Sequence, residues 1–137
     1  MILVDTGPLV ALFDPRDGQH RLCQAALREL NVPLYTTVPV LVETFHILTP
    51  NSLGASRLRD FLRKRGLWVW FMGEPDMGRA LDLMDRYVDH PMDLADASLV
   101  VAAEALDVRR IFTLDRGDFS TYRVSRGQYQ VALEIVP

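Results

Sequence analysis

Four acidic residues stand in apolar surroundings, where a carboxylate needs a chemical reason to be present. Asp5 directly follows the apolar run ILV, and Asp115 follows IFTL in the same way. Glu43 lies inside the apolar stretch VPVLVETFHIL, and Asp96 interrupts DLADASLVVAA. Gathering several carboxylates in one place is unfavourable unless protons or a cation neutralise their charge. If the two strand-end acids and the two helical acids converge, the sequence predicts a cation site.

Carboxylate oxygens without histidine ligands select a hard divalent ion, so Mg²⁺ or Mn²⁺ is the expected cofactor. The three histidines show no metal-ligand spacing of the His-Glu-x-x-His type, and we interpret them as structural or surface residues. A hydrated Mg²⁺ or Mn²⁺ ion binds phosphate oxygens, activates a water nucleophile and stabilises the leaving oxygen. The acids therefore predict hydrolysis of a phosphodiester bond without a covalent enzyme intermediate.

Taken one at a time, the same acids have structural explanations. Asp93 can cap the helix that starts beside it, and Asp96 in the first turn can complement the helix dipole. Glu43, also near a helix start, can complement the dipole in the same way. Asp5 or Asp115 alone can be a turn residue. The prediction of a metal site therefore depends on the set of acids and not on any single one.

Strands and helices alternate along the chain in the way needed to bring these acids together. Apolar and β-branched runs predict strands at 2–4, 33–36, 68–71, 110–114 and 130–136. Apolar spacing and capping residues predict helices at 9–13, 20–30, 38–48, 52–65, 74–87 and from 93 onward, with Thr37 as one cap and an irregular turn at 118–123. This alternation predicts an α/β protein whose parallel sheet is covered on both faces.

The stretch LVDTG also matches half of an aspartic protease site. In those proteases the acid sits in a loop of an all-β structure, whereas Pro8 and a helix follow here. Asp5 therefore stands where a strand ends and a helix begins, which is the usual place for ligands in open α/β sheets. An aspartic protease remains as a minor alternative that would require a symmetric dimer of all-β halves.

Length and composition predict a single domain that spans residues 1–137. The 49% hydrophobic and 24% charged residues are ordinary for a globular protein and exclude a disordered or fibrous one. One cysteine, no signal-peptide pattern and no apolar run near ~18 residues predict a cytoplasmic protein that does not cross a membrane. The net charge of -3 argues against a nucleic-acid partner, but four clustered acids would leave the remainder at +1.

Most of the basic residues are arginines, whose planar guanidinium suits phosphate. Arg116, next to Asp115, is the one best placed to contact a substrate. The denser run at 57–65 is interpreted as a solvated helix face in preference to a phosphate contact. Trp68 and Trp70 are expected to pack in the core and not to stack on bases.

Four stretches of the chain resemble the PIN-domain nucleases: VDTGPLVALFD, VLVETFHIL, PMDLADASLVVAAE and IFTLDRGDF. The size and the order of the motifs are similar to those of the VapC-like toxin ribonucleases of bacterial toxin-antitoxin modules. The resemblance covers the chain from Ile2 to about Tyr122. It implies a three-layer α/β/α fold with a mainly parallel sheet, and Mg²⁺- or Mn²⁺-dependent endonucleolytic cleavage of RNA.

Carried over residue by residue, the resemblance implies four catalytic acids. These are Asp5, Glu43, Asp96 and Asp115. Three of them, at positions 5, 96 and 115, are expected to hold the metal ion. The glutamate is expected to complete the ion's shell or to orient the attacking water.

Three further residues have secondary roles in this scheme. Thr6 occupies the place of the family's hydroxyl residue. Asp118 competes with Asp115 for the place of the fourth acid. Asp93 is either an outer ligand or only a helix cap. The sequence leaves the last two choices open, along with the number of metal ions.

The resemblance also implies partners. A homodimer is expected, together with a small antitoxin whose tail lies in the acidic groove. Two alternatives remain: a PIN-like nuclease that acts outside any toxin module, on DNA or structured RNA, and a catalytically silent PIN-like module that binds RNA or protein. The sequence identifies neither the RNA target nor the antitoxin.

Overall fold

The computed structural model describes residues 1–137 and contains seven helices and seven strands. The strands are β1 (Ile2–Val4), β2 (Leu34–Thr37), β3 (Trp68–Trp70), β4 (Arg110–Phe112), β5 (Arg123–Arg126), β6 (Tyr129–Ala132) and β7 (Glu134–Val136). The helices are α1 (Thr6–Phe13), α2 (His20–Glu29), α3 (Val38–Leu48), α4 (Leu53–Arg63), α5 (Glu74–Arg86), α6 (Leu94–Leu106) and α7 (Arg116–Thr121). None of these helices has the length and apolar character needed to cross a bilayer.

The central sheet has five parallel strands in the order β3-β2-β1-β4-β7. All three residues of β1 are completely buried, although successive side chains of a strand point to opposite faces. Both faces of the sheet are therefore covered, which is typical of parallel sheets. One group of helices packs around α1, and α5 packs on α6. The predicted α/β fold with a mainly parallel sheet is confirmed.

Two helix starts follow the capping chemistry of their sequences. The Ser52 hydroxyl accepts a hydrogen bond from the Ala55 N–H at 3.1 Å, as expected for the cap of α4. Asp93 accepts one from the Asp96 N–H at 2.8 Å and caps α6. Thr37 also stands at a cap position, but its hydroxyl bonds to Ser98 at 2.6 Å. The predicted side-chain cap of α3 is therefore wrong, because the hydroxyl instead joins β2 to α6.

The chain after β4 differs from the sequence-based expectation. The segment 118–123 was expected to be an irregular turn, but it lies largely in helix α7. The single strand expected at 130–136 is divided into β6 and β7, and β5 was not predicted at all. β5 and β6 form a separate antiparallel hairpin. Short helices and hairpins of this kind are held by tertiary packing, as shown by the completely buried Phe119, Tyr122 and Val124.

Candidate active site

The acids converge because β1 and β4 are neighbours in the sheet. Leu3 lies opposite Ile111, and Val4 lies opposite Phe112. The chain therefore leaves both strands at the same edge, and the backbone N–H of Asp5 still donates to the Phe112 carbonyl at 3.0 Å. This carboxyl edge is the position at which α/β proteins bind ligands.

A cleft of about 490 Å³ opens at this edge. Its lining residues are Asp5, Thr6, Gly7, Glu43, Ile47, Asp93, Asp96, Leu114, Asp115 and Asp118. Six of these ten residues are acids and none is basic. The structure thus brings together all four acids predicted to be catalytic and all three predicted secondary residues.

Asp5 is the most firmly held acid of the cleft. Its Oδ1 accepts a hydrogen bond from the Thr6 N–H and its Oδ2 accepts one from the Thr113 hydroxyl, each at 2.8 Å. The residue is only 8% exposed. Burial raises the pKa of Asp5 to about 6; the two hydrogen bonds oppose this rise, and the charges of Glu43 and Asp115 add to it. Asp5 is therefore fixed in position, but its negative charge lacks a cationic partner.

Thr113 is a site residue that the sequence did not reveal. It is buried, and its hydroxyl both donates to Asp5 and accepts from the Asp115 N–H at 3.0 Å. One hydroxyl therefore links the acid after β1 to the acid after β4. The only sequence signal is its place in Thr-Leu-Asp, because its partner lies 108 residues away along the chain.

Asp96 projects from the first turn of α6 and is held by a second residue that was not predicted. The hydroxyl of Tyr122 donates to Asp96 Oδ2 at 3.1 Å. Burial raises the pKa of Asp96 to about 7, with the charges of Asp93 and Asp5 adding to the rise. The Tyr122 hydrogen bond acts in the opposite direction. Asp96 is therefore a half-buried acid that, like Asp5, has no cationic partner.

The acids for which the sequence left a choice all line the cleft. Asp93 forms the helix cap, as described for α6, so its capping role is present beside its place in the cleft. Asp115 caps α7 by accepting from the Asp118 N–H at 3.0 Å, and it lies three residues beyond the end of β4. Asp118 is 2.5 Å from Nε2 of His90. His90, interpreted from the sequence as a structural or surface residue, thus lies at the rim of the cleft. Asp115 and Asp118 both remain candidates for the fourth acid.

Glu43 and Thr6 also line the cleft, but their side chains make no hydrogen bonds. Glu43 lies in the middle of α3, is half-buried, and makes no side-chain hydrogen bond. The Thr6 hydroxyl is buried and has no hydrogen-bond partner. A buried hydroxyl without a partner is uncommon in folded proteins. It marks a polar position next to the carboxylates that is available to a ligand.

The chemistry of these donors fits a hard divalent cation. Six carboxylates line the cleft with no arginine or lysine to neutralise them, and a buried hydroxyl beside them lacks a partner. No three acidic, histidine or cysteine side chains are close enough together to be ligands of one ion without adjustment. Mg²⁺, however, usually binds directly to only one or two carboxylates and keeps several waters. The spacing is therefore compatible with a hydrated ion held by some of these acids.

Basic residues lie outside the cleft. Arg116 is exposed and donates to the backbone carbonyl of Pro137, so its expected contact with substrate remains a prediction. The guanidinium of Arg65 lies over the ring of Trp68 at 4.8 Å. Trp68 is 38% exposed, whereas Trp70 packs against the core. Core packing is thus confirmed for Trp70 only.

Comparisons with known proteins agree with this architecture. The model of the PIN domain family matches residues 2–124. Ribonuclease VapC26 of Mycobacterium tuberculosis is 26% identical over 134 residues, which cover 95% of this chain and 98% of the relative. Across nearly its whole length, the chain thus resembles a protein named as a ribonuclease.

Solved structures share the fold at low sequence identity. The first is Mycobacterium tuberculosis VapC20, described as a sarcin-ricin loop cleaving toxin, with a TM-score of 0.78, 17% identity, and coverage of 86% of this chain and 92% of that one. A toxin-antitoxin complex from Klebsiella pneumoniae has a TM-score of 0.69 at 20% identity, covering 88% and 92% of the two chains. With the family match, the parallel sheet and the acids at its carboxyl edge, the chain belongs to the PIN domain family.

Proposed function

We propose that this protein is a Mg²⁺- or Mn²⁺-dependent endoribonuclease and the toxin of a toxin-antitoxin pair. The main support is the cleft at the carboxyl edge of the sheet, where six carboxylates face one space without any basic residue. The relative named as a ribonuclease matches along nearly the whole chain, and the fold is shared with a toxin described as cleaving the sarcin-ricin loop. Hydrolysis of RNA phosphodiester bonds is the reaction that joins these observations.

In the proposed site, Asp5, Asp96 and Asp115 hold the metal ion. When bound, such an ion supplies Lewis-acid activation of the phosphate and of an attacking water. Asp5 has both oxygens held by hydrogen-bond donors, so it contributes a rigid carboxylate. Glu43 has a free carboxylate in the same cleft and orients the attacking water. These roles follow the residues' places in the cleft and are proposals.

The charge of the cleft makes the proposed reaction depend on a cation. A phosphodiester carries a negative charge, and the cleft presents only carboxylates to it. Like charges in a partly buried site repel strongly. The scissile phosphate of an RNA strand is therefore expected to enter the cleft only when a divalent ion is bound there.

The proposed partners are a small antitoxin protein and a second copy of this chain. A solved complex with this fold contains a toxin with its antitoxin, and another holds FitAB bound to a DNA fragment. Occupation of the acidic cleft by a basic antitoxin segment would neutralise the same carboxylates as the metal ion. Action in the cytoplasm, where RNA is available, belongs to the same proposal.

The test is an RNA cleavage assay with purified protein in Mg²⁺, in Mn²⁺ and in excess chelator. We expect cleavage with either ion and none with chelator. Asp5→Asn and Asp96→Asn are expected to abolish cleavage, whereas Asp85→Asn is the matched control, because Asp85 is an exposed acid of α5 outside the cleft. Undiminished metal-dependent cleavage by both cleft variants would disprove the proposed site. Cleavage by no form of the protein, together with RNA binding, would favour a silent binding module.

A further inference from the structure

A buried tyrosine lies directly behind the acidic cleft. Tyr122 follows the last residue of α7 and is completely buried. Its ring meets the rings of Tyr87, Phe119 and His90 edge-on, with centroid distances of 5.1, 5.3 and 6.0 Å. Aromatic rings packed in this geometry attract one another and have little freedom to move. The position of the Tyr122 hydroxyl is therefore set by three neighbouring rings.

The hydroxyl has one proton and two acceptors within reach. Asp96 Oδ2 is 3.1 Å away, and the carbonyl oxygen of Pro91 is 3.5 Å away. The shorter bond to a carboxylate is the stronger one, because charge assists it. A tyrosine phenol is an O–H donor at neutral pH, so the Tyr122 hydroxyl donates to Asp96.

The orientation of the Asp96 carboxylate depends on this single hydrogen bond, whereas two hydrogen bonds fix the carboxylate of Asp5. Both oxygens of Asp5 are held, by the Thr6 N–H and the Thr113 hydroxyl. Asp96 receives a side-chain hydrogen bond from Tyr122 alone, at Oδ2. The negative charges of Asp93, Asp5 and Asp118 all act on it. Without the phenol, repulsion would favour other orientations of the carboxylate.

We propose that Tyr122 is a positioning residue of the active site: its hydroxyl fixes Asp96 Oδ2 and leaves Oδ1 available to the divalent cation. The proposal rests on the proposed function, since it takes Asp96 as a ligand of the ion. Residues that hydrogen-bond to metal ligands, without binding the metal themselves, typically contribute ~10- to 100-fold to metal affinity or activity. Tyr122 is expected to act in this range although it touches neither the ion nor the RNA.

The test compares Tyr122→Phe with Tyr87→Phe. Both substitutions remove one hydroxyl from the same aromatic cluster, but the Tyr87 hydroxyl accepts from the Arg123 N–H at 2.9 Å and does not contact a carboxylate. For Tyr122→Phe we expect the apparent Mn²⁺ Kd, measured by thermal shift, to rise about 10-fold or more, and kcat to fall with KM for RNA nearly unchanged. For Tyr87→Phe both quantities should stay within about 2-fold of the wild type. Melting temperatures without metal check that both variants are folded.

A double variant separates positioning from packing. If Tyr122 acts through Asp96, then Tyr122→Phe in an Asp96→Asn background should not weaken Mn²⁺ binding further.

Wild-type Mn²⁺ affinity in Tyr122→Phe overturns the proposal, and so does equal weakening in Tyr87→Phe. A wild-type protein that binds Mn²⁺ without cleaving RNA contradicts the proposed function alone, and the Mn²⁺ titrations then still decide the role of Tyr122. A wild-type protein without any Mn²⁺-dependent shift overturns both proposals.

Discussion

Helix α6 carries two acids whose surroundings differ completely. Near its end, the half-buried Glu104 accepts two hydrogen bonds from Arg79, at 3.0 and 3.1 Å, and one from the Ser125 N–H at 2.9 Å. Burial raises the pKa of Glu104, but Arg79 and Ser125 outweigh it, and the pKa lies below its ordinary value. In its first turn, Asp96 has only a neutral hydroxyl as side-chain donor, and its pKa rises to about 7.

This difference separates an acid whose charge is matched inside the protein from the acids of the proposed metal site. Glu104 has its charge matched inside the protein, where it joins α5, α6 and β5. Asp96 and Asp5 have hydrogen bonds but no matching charge, so the pKa of each is raised and ionising either acid costs stability. Such a cost is tolerated where a bound ligand supplies the missing positive charge, so acids without a matching charge in a cleft are candidates for a functional site. The two kinds of acid are expected to respond differently to substitution, to metal binding and to pH.

The largest expected effect is the loss of activity in Asp5→Asn. We expect RNA cleavage to fall at least about 100-fold, since even the outer partners of a metal site contribute ~10- to 100-fold. Stability without metal should not decrease, because the substitution removes a buried charge that has no cationic partner. Cleavage rates and denaturant unfolding measure the two quantities. A large loss of stability would mean that Asp5 is a structural acid like Glu104.

Metal binding should stabilise the cleft and leave the Arg79–Glu104 pair unaffected. At an Mn²⁺ concentration of 100 times Kd, the free energy of unfolding is expected to rise by about 2.7 kcal/mol. The same addition should stabilise Glu104→Gln equally and Asp5→Asn much less. Thermal melts with and without Mn²⁺ measure this. Equal stabilisation of all three proteins would place the ion outside the cleft.

Glu104→Gln is expected to have the opposite effect to Asp5→Asn. The glutamine amide is neutral and cannot match the charge of Arg79, whose side chain is 31% exposed. Its NH2 group also cannot accept a hydrogen bond, unlike the carboxylate oxygen that it replaces. We expect the free energy of unfolding to fall by about 1–3 kcal/mol, while cleavage per folded molecule stays near the wild-type value. Urea unfolding and active-fraction-corrected rates test this. If Glu104→Gln lost catalysis without losing stability, Glu104 would behave like Asp5 and the proposed distinction would be wrong.

The smallest expected effect is a dependence of stability on pH. Because the folded pKa of Glu104 lies below its ordinary value of 4.5, the folded state binds this proton less readily than the unfolded state. The resulting stabilisation is present above about pH 4.5 and is lost as the pH falls through the folded pKa. The stability difference between wild type and Glu104→Gln should therefore shrink as the pH is lowered below 4.5. A constant difference would show that the pair contributes through packing and not through charge.

Most acids of the candidate site could be predicted from the sequence, because each one differs from the residues around it. Asp5 and Asp115 follow apolar strands, and Glu43 and Asp96 interrupt apolar helices, so each stands out from its neighbours in sequence. The parallel sheet then requires the strand-end acids to meet at one edge. Tyr122 escaped prediction because its hydrogen bond spans 26 residues and its own surroundings give no signal.

The sequence by itself determined the alternation of strands and helices and the set of acids at their junctions, because hydrophobic periodicity and charge in apolar segments are local properties. Only the tertiary structure decided which carboxylates are matched and which are not. Glu104 and Asp96 lie eight residues apart on one helix, yet Arg79 reaches the first, and no arginine reaches the second. That outcome depends on how α5, α6 and the hairpin pack together, since the charge around a buried acid is set by residues that are distant along the chain.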